Sequence, residues 1–236
     1  MKQALIRTCP ASKALAVVTL ALGMISMAGE SFGRTPIRPQ IILRVINEAG
    51  VADRTLRQVQ KETAAILGRA GIELVWLDCE DGSADWASGN PCQEISGPAD
   101  FWLRIRASKS TVAARELGYA QLDAVQKIGE AGVSYQAAEE LAQRCHAETF
   151  QILGAAIVHE IGHLMLGGAS AHSPTGVMSA AWGVHELDLV SIGELSFTLA
   201  QAKRLRQEIQ RRTDHGKVGW YERGSWESDR APGAAQ

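Results

Sequence analysis

The sequence lacks a surplus of basic residues, since 24 lysines and arginines stand against 26 aspartates and glutamates, for a net charge of -2. This balance argues against a nucleic-acid partner, because binding a polyanion usually needs a basic face. Internal repeats are also absent, and the 236 residues suit one domain of moderate size. Hydrophobic residues make up 46% of the chain, which is enough for a sizeable core.

The N-terminus has no apolar run long enough for a typical membrane span. Residues 14–28 instead match the length of the hydrophobic segment of a secretory signal. Basic residues precede this run, namely Lys2, Arg7 and Lys13. The small side chains of Ser26 and Ala28 predict cleavage after Ala28, so that residues 1–28 form a signal peptide. An uncleaved anchor is the alternative. Either way the domain is predicted outside the cytoplasm, secreted or periplasmic, with no membrane span after cleavage.

Cysteines are few, and an odd number remains once Cys9 leaves with the signal. Export makes disulfides possible. Cys79 and Cys92 flank a polar loop, so we predict a disulfide between them. Cys145 is then left over, and we expect it to be a buried helical thiol rather than a reactive group.

The first half of the chain alternates strand and helix signals. Residues 40–47 are rich in isoleucine and valine and predict a strand. Asp53 can cap a following helix, which Gly71 ends. Residues 72–77 predict a second strand. Short connections on both sides of the helix favour a parallel pair joined by a crossover.

The remaining elements complete a small α+β domain. Residues 78–98 predict a surface loop, and residues 100–107 alternate apolar and basic side chains as a strand with one wet face would. Short strands at 118–122 and 132–135 are predicted at the sheet edge beside a central helix. Three further helices are predicted, at residues 136–145, 150–166 and 199–212. The remaining segments are predicted to be a loop at 169–179, irregular chain from 182 to 196 and a flexible tail at 213–236.

A short motif dominates the chemistry of the chain. His159, Glu160 and His163 form an H-E-x-x-H sequence inside an apolar run. Residues four apart share one face of a helix, so both imidazoles can hold a single metal ion. Glu160 would then face the water that the ion activates, as a general base. The pattern therefore predicts a zinc site with a catalytic carboxylate.

A catalytic zinc site also needs a third protein ligand and an open position for water. His172 is the strongest candidate, because Gly167 and Gly168 let the chain fold back after the helix. The rival ligands are two downstream carboxylates, Glu186 and Glu194. Neither of them lies in a recognisable helical motif.

With Met178 included, this stretch resembles the metzincin metalloproteases, whose motif H-E-x-x-H-x-x-G-x-x-H precedes a methionine turn. The sequence HEIGHLMLGG, followed by HSPTGVM, is most similar to the matrixin branch. The resemblance covers about 25 residues. It implies a metzincin-like mixed sheet of four or five strands with a crossover helix, an active-site helix and a C-terminal helix. It also implies three zinc ligands (His159, His163, His172), Glu160 as general base and Met178 as the turn methionine.

The spacing departs from the family pattern. A strict metzincin would place glycine at position 166 and histidine at position 169, where this chain has Leu166 and Ala169. The tyrosine that some metzincins carry just after the methionine is replaced by Ser179. The resemblance therefore implies a divergent or separate branch, to which the substrate preference of the family does not transfer.

These observations predict a secreted zinc endopeptidase with its catalytic domain at residues 40–212, acting on peptide or protein substrates. One alternative is a zinc amidase acting on cell-wall peptides, and another is a non-catalytic zinc-stabilised binding protein. Glu160 argues against a purely structural site, which has no use for a base. The lead-in at residues 29–39 contains no cysteine, so latency through a zinc-blocking thiol is not expected.

Overall fold

The computed structural model describes residues 38–79, 92, 97–107, 117–122 and 129–224. The predicted signal peptide, nearly all of the lead-in and most of the predicted surface loop lie outside the described residues. The described part contains five strands, which are β1 (Gln40–Asn47), β2 (Glu73–Cys79), β3 (Asp100–Arg106), β4 (Gly118–Leu122) and β5 (Gly129–Ser134). They form one sheet in the order β2-β1-β3-β5-β4.

Helices connect and cover this sheet. Their bounds are α1 (Asp53–Arg69), α2 (Tyr135–Cys145), α3 (Thr149–Leu166), α4 (Val184–Ser191) and α5 (Leu199–Gly224), with a 3-10 turn at Gly168–Ala171. Strands β2, β1, β3 and β5 run parallel to their neighbours, whereas β4 pairs antiparallel with β5 at the edge. The predicted mixed sheet and α+β class are therefore confirmed.

The β1-α1-β2 unit is the expected parallel pair with a crossover helix. One detail differs, because Asp53 is the first helical residue and the N-cap is Ala52, with no side-chain hydrogen bond. Gly71 follows the helix with a φ of +77°, a conformation that favours glycine. The chain can therefore turn at once into the second strand.

The two faces of the sheet differ in polarity. Phe101, Leu103 and Ile105 of β3 are buried in the main hydrophobic core. Trp102 and Arg104 alternate with them on the other face and are half-buried. This is the alternation of a strand with one wet face, as the sequence predicts.

Helix α3 is the most deeply buried helix among the described elements, with fourteen of its eighteen residues buried. Gly154 lets α1 approach closely, because a Cβ atom there would lie 2.9 Å from the Cβ of Glu62. The described residues contain one helix long and apolar enough to cross a membrane, and it is α3. Its burial inside the fold is that of a core helix.

Two expectations for the C-terminal half are wrong. The segment between Trp182 and Ser196 is not irregular, because α4 lies within it. The Glu186 carboxylate accepts a hydrogen bond from the Gly183 amide at the start of this helix, and Leu187 is buried. In addition, α5 continues past Arg212 to Gly224.

The disulfide between Cys79 and Cys92 is present, with a Cα–Cα distance of 5.8 Å. Cys145 is not the buried free thiol that we expected, because it is disulfide-bonded. It is the last residue of α2 and is half-buried.

Candidate metal centre

The H-E-x-x-H sequence lies in the C-terminal half of α3, where the surrounding apolar residues fix the helix against the sheet. His159 is buried and His163, one turn later, is half-buried. Their side chains point the same way, and their Nε2 atoms lie 3.0 Å apart. Local helix geometry alone is enough to produce this pairing.

Backbone carbonyls fix the protonation of both rings. His159 Nδ1 lies 2.7 Å from the Val177 carbonyl oxygen, and His163 Nδ1 lies 2.7 Å from the Gly168 carbonyl oxygen. A carbonyl oxygen only accepts hydrogen bonds, so each Nδ1 must carry the proton of its neutral ring. Each Nε2 then presents a lone pair.

Two facing lone pairs at 3.0 Å repel unless a cation lies between them. A tetrahedral zinc ion with Zn–N bonds of about 2.0–2.1 Å would hold two nitrogens about 3.3 Å apart. The observed separation is close to that value. The pair of rings therefore fits a metal ion.

His172 supplies the third ring. The 3-10 turn Gly168–Ala171 carries the chain back toward α3, and the φ angle of Gly167 is +92° at the start of this reversal. The ring centroid of His172 lies 4.7 Å from that of His163 and 5.5 Å from that of His159. The ligand atoms of all three histidines lie within 4.8 Å of one another. The extra loop length therefore does not keep His172 from the site.

Burial keeps these rings neutral. It lowers the pKa of His159 to about 4, an effect to which the neighbouring histidines add and which the Val177 hydrogen bond opposes. Burial also lowers the pKa of His163 and the pKa of His172. Neutral imidazole is the form that donates an electron pair to a metal. The three histidines thus form a site that can bind zinc near neutral pH.

Met178 is fully buried and packs against Gly162 of α3, next to His163 in the sequence. A Cβ atom on Gly162 would come within 2.3 Å of its sulfur, so glycine is needed there for close packing. The carbonyl of the preceding Val177 accepts hydrogen bonds from His159 and, at 3.1 Å, from Trp182 Nε1. The turn that carries the methionine thus also orients a ring of the site.

Replacing Gly162 with alanine is expected to destabilise the protein by about 1–3 kcal/mol, because the new methyl group overlaps the Met178 sulfur. Urea unfolding of Gly162→Ala, Met178→Ala and the double variant measures the coupling between the two positions. The double variant should lose less free energy of unfolding than the two single variants lose together, since the shorter side chain at position 178 leaves room for the methyl group. If the losses in free energy of unfolding are additive, the two positions do not pack on each other.

Glu160 is buried beside the histidines. It faces the edge strand, where a Cβ atom on Gly118 would lie 2.8 Å from its Cγ and 2.9 Å from its Oε1. The two rival ligands lie outside the histidine cluster. Glu186 caps α4 and Glu194 is exposed, so neither carboxylate takes the place of His172 among the described residues.

Several groups that support the site were not predicted from the sequence. Gln201 of α5 donates a hydrogen bond of 3.0 Å to the carbonyl of Ala171, next to His172. Trp182 packs edge-on against His159, with ring centroids 6.1 Å apart. The backbone acceptors for the histidines carry no sequence signal, since any residue can supply a carbonyl.

No protein-family model matches this sequence, and no curated protein matches it. Twenty-six chains of solved structures show partial similarity to this one. Archaemetzincin from Methanopyrus kandleri matches at 15% identity and a TM-score of 0.48, over 75% of this chain and 99% of that one. Metalloproteinase-II from Bacteroides fragilis matches at 12% identity and a TM-score of 0.46, over 73% of this chain and 54% of that one.

A zinc-dependent peptidase from Methanocorpusculum labreanum matches at 14% identity and a TM-score of 0.44, over 69% of this chain and 99% of that one. Similarity at this level assigns neither a family nor an activity to the chain. The case for a metal site therefore rests on the donor atoms described above.

Proposed function

We propose that this protein is a zinc-dependent peptidase that cleaves internal peptide bonds. The observation that carries the proposal is the pair of Nε2 lone pairs 3.0 Å apart, with His172 completing a three-nitrogen set. Three neutral histidines leave one position of a tetrahedral zinc ion open, as catalysis needs and a closed structural site does not allow. Glu160 lies beside that set on the same helix.

A bound zinc ion in such a site acts as a Lewis acid and makes water a nucleophile at neutral pH. The residues of the chain supply the rest of the chemistry. The carboxylate of Glu160 accepts a proton from the attacking water and donates it to the leaving amine. The carbonyls of Val177 and Gly168 hold the rings of His159 and His163 in orientation throughout.

The family relationship is part of this proposal. The packing of Met178 against Gly162 supports its assignment as a metzincin-type turn methionine, and the 3-10 turn accommodates the longer spacing to His172. We place the catalytic domain at residues 40–212, since β1 begins at Gln40 and the core contacts of α5 reach Ile209. The chain would then be a divergent relative with an unassigned cleavage preference.

Secretion or delivery to a periplasm is also proposed, with maturation after Ala28. The disulfide between Cys79 and Cys92 supports it, because such bonds persist in oxidising compartments. N-terminal sequencing of protein recovered from the extracytoplasmic fraction tests this part directly. A first residue at Gly29 is expected, and a cytoplasmic protein with Met1 intact would contradict it.

Removal of the metal is expected to abolish cleavage of a mixed peptide library. The mature chain is dialysed against 1,10-phenanthroline, and products are mapped by mass spectrometry before and after equimolar zinc is restored. Cleavage at internal bonds, lost on chelation and regained with zinc, is the expected result. Release of single terminal residues would replace the endopeptidase assignment with an exopeptidase one. Cleavage that persists in zinc-free protein would reject the proposal.

A further inference from the structure

The edge strand β4 brings Gly118 directly against the side chain of Glu160. A Cβ atom at this position would lie 2.7 Å from the backbone oxygen of Gly132, 2.8 Å from Cγ of Glu160 and 2.9 Å from its Oε1, all shorter than real Cβ contacts. The φ angle of Gly118 is not in the left-handed region. Position 118 therefore requires glycine because a larger side chain would clash, and not because of its backbone torsion angles.

The register of β4 decides which residue meets Glu160. Gly118 pairs with Val133 and Tyr119 pairs with Gly132. Successive residues of a strand point to opposite faces, so a slip of one residue would turn the tyrosine ring toward α3 and Glu160. The position of the carboxylate thus depends on the pairing of β4 with β5.

An aromatic contact on the opposite face secures that pairing. The ring of Tyr119 occupies the space over Gly132, where a Cβ atom would lie 2.1 Å from its Cε1. The guanidinium of Arg106 lies 5.1 Å from the ring centroid, and the hydroxyl donates a 3.0 Å hydrogen bond to Glu130. Aromatic rings laid over cross-strand glycines are a known means of fixing register.

We infer that Gly118 is a positioning residue for Glu160, held in place by the cross-strand pair of Tyr119 and Gly132. The inference rests on the proposed function, because it concerns the residue assigned as general base. Gly118 carries no reacting group of its own and acts only through its contact with Glu160. The missing side chain of Gly118 leaves room for the Glu160 carboxylate between α3 and β4.

Replacement of Gly118 with alanine should lower kcat by about 100-fold, the loss expected when a catalytic group moves by about 1 Å. KM and zinc content should stay near their original values, since the histidines are not displaced. The matched control is Gly68→Ala, which adds the same methyl group on α1 with no atom within 4 Å. It should leave kcat unchanged. An unchanged kcat in Gly118→Ala would overturn the inference.

The Glu160→Gln background separates positioning from general damage. Without a base to misplace, Gly118→Ala should cause no further loss in the residual rate. An equal loss in both backgrounds would indicate a structural role and overturn the inference. If Glu160→Gln alone is fully active, the general-base role within the proposed function fails instead. If that variant is inactive but Gly118→Ala is not, only the positioning role fails.

A second pair of variants decides the matter should Gly118→Ala not fold. Tyr119→Ala removes the ring that covers Gly132 without adding any atom near Glu160. This variant should lower kcat by a larger factor than it changes KM. Tyr119→Phe keeps the ring and should keep kcat near the value of the original protein. Zinc content is measured in both. A full kcat in folded Tyr119→Ala would contradict the proposed control of register.

Discussion

Peptide cleavage should fall by about 100- to 10,000-fold when Glu160 is replaced by glutamine, the range that loss of a general base typically costs. Glutamine has the same shape as glutamate but cannot accept the proton of the attacking water. The buried side chain is in contact with Gly118, and the isosteric amide can keep that contact. Zinc content and the unfolding midpoint should therefore change little.

The control for this variant is Glu194→Gln, which makes the same chemical change at an exposed position outside the histidine cluster. Its activity should equal that of the original protein. Initial rates on a peptide taken from the library cleavage, with zinc measured in the same samples, give the comparison. Full activity in zinc-loaded Glu160→Gln would remove the general-base role.

Zinc affinity should drop by more than about 100-fold in His172→Ala, because even the loss of an outer-shell partner costs about 10- to 100-fold. Two histidines on one helix cannot complete a catalytic coordination set by themselves. The loop beside position 172 should remain in place, since Gln201 anchors it through the Ala171 carbonyl. The loss is thus expected to come from the missing ring.

His185→Ala is the matched control, because this histidine is exposed on α4 and lies outside the cluster. Competition with a chromophoric zinc chelator gives the affinity of each variant. Glu194→Ala should also bind normally, as the carboxylate does not take part. Unchanged zinc affinity in His172→Ala would show that the third ligand is another group.

Local patterns made much of the fold predictable. The bounds predicted for β1 at residues 40–47 agree with the structure, because β-branched residues suit the pleated, largely buried surface that this strand provides. The pairing of His159 with His163 follows from helix periodicity alone. His172 was a candidate because glycines at 167 and 168 permit a chain reversal, and both have positive φ angles in the structure.

Features that depend on tertiary contacts were not predictable in the same way. Helix α4 has a glycine, Gly183, as its N-cap and is stabilised by buried contacts that its eight residues do not reveal by themselves. The contact of Gly118 with Glu160 depends on the register of β4, which is set on the far face of the sheet. The carbonyls that orient the histidines belong to residues of no particular type.

The most direct test of the metal centre is a crystal structure of the zinc-loaded protein with an anomalous difference map at the zinc edge. We expect one ion about 2.0–2.1 Å from Nε2 of His159, Nε2 of His163 and a ring nitrogen of His172, with a non-protein ligand in the fourth position. An ion bound by four protein donors, or one that leaves the ring of residue 172 uncoordinated, would contradict the proposed site.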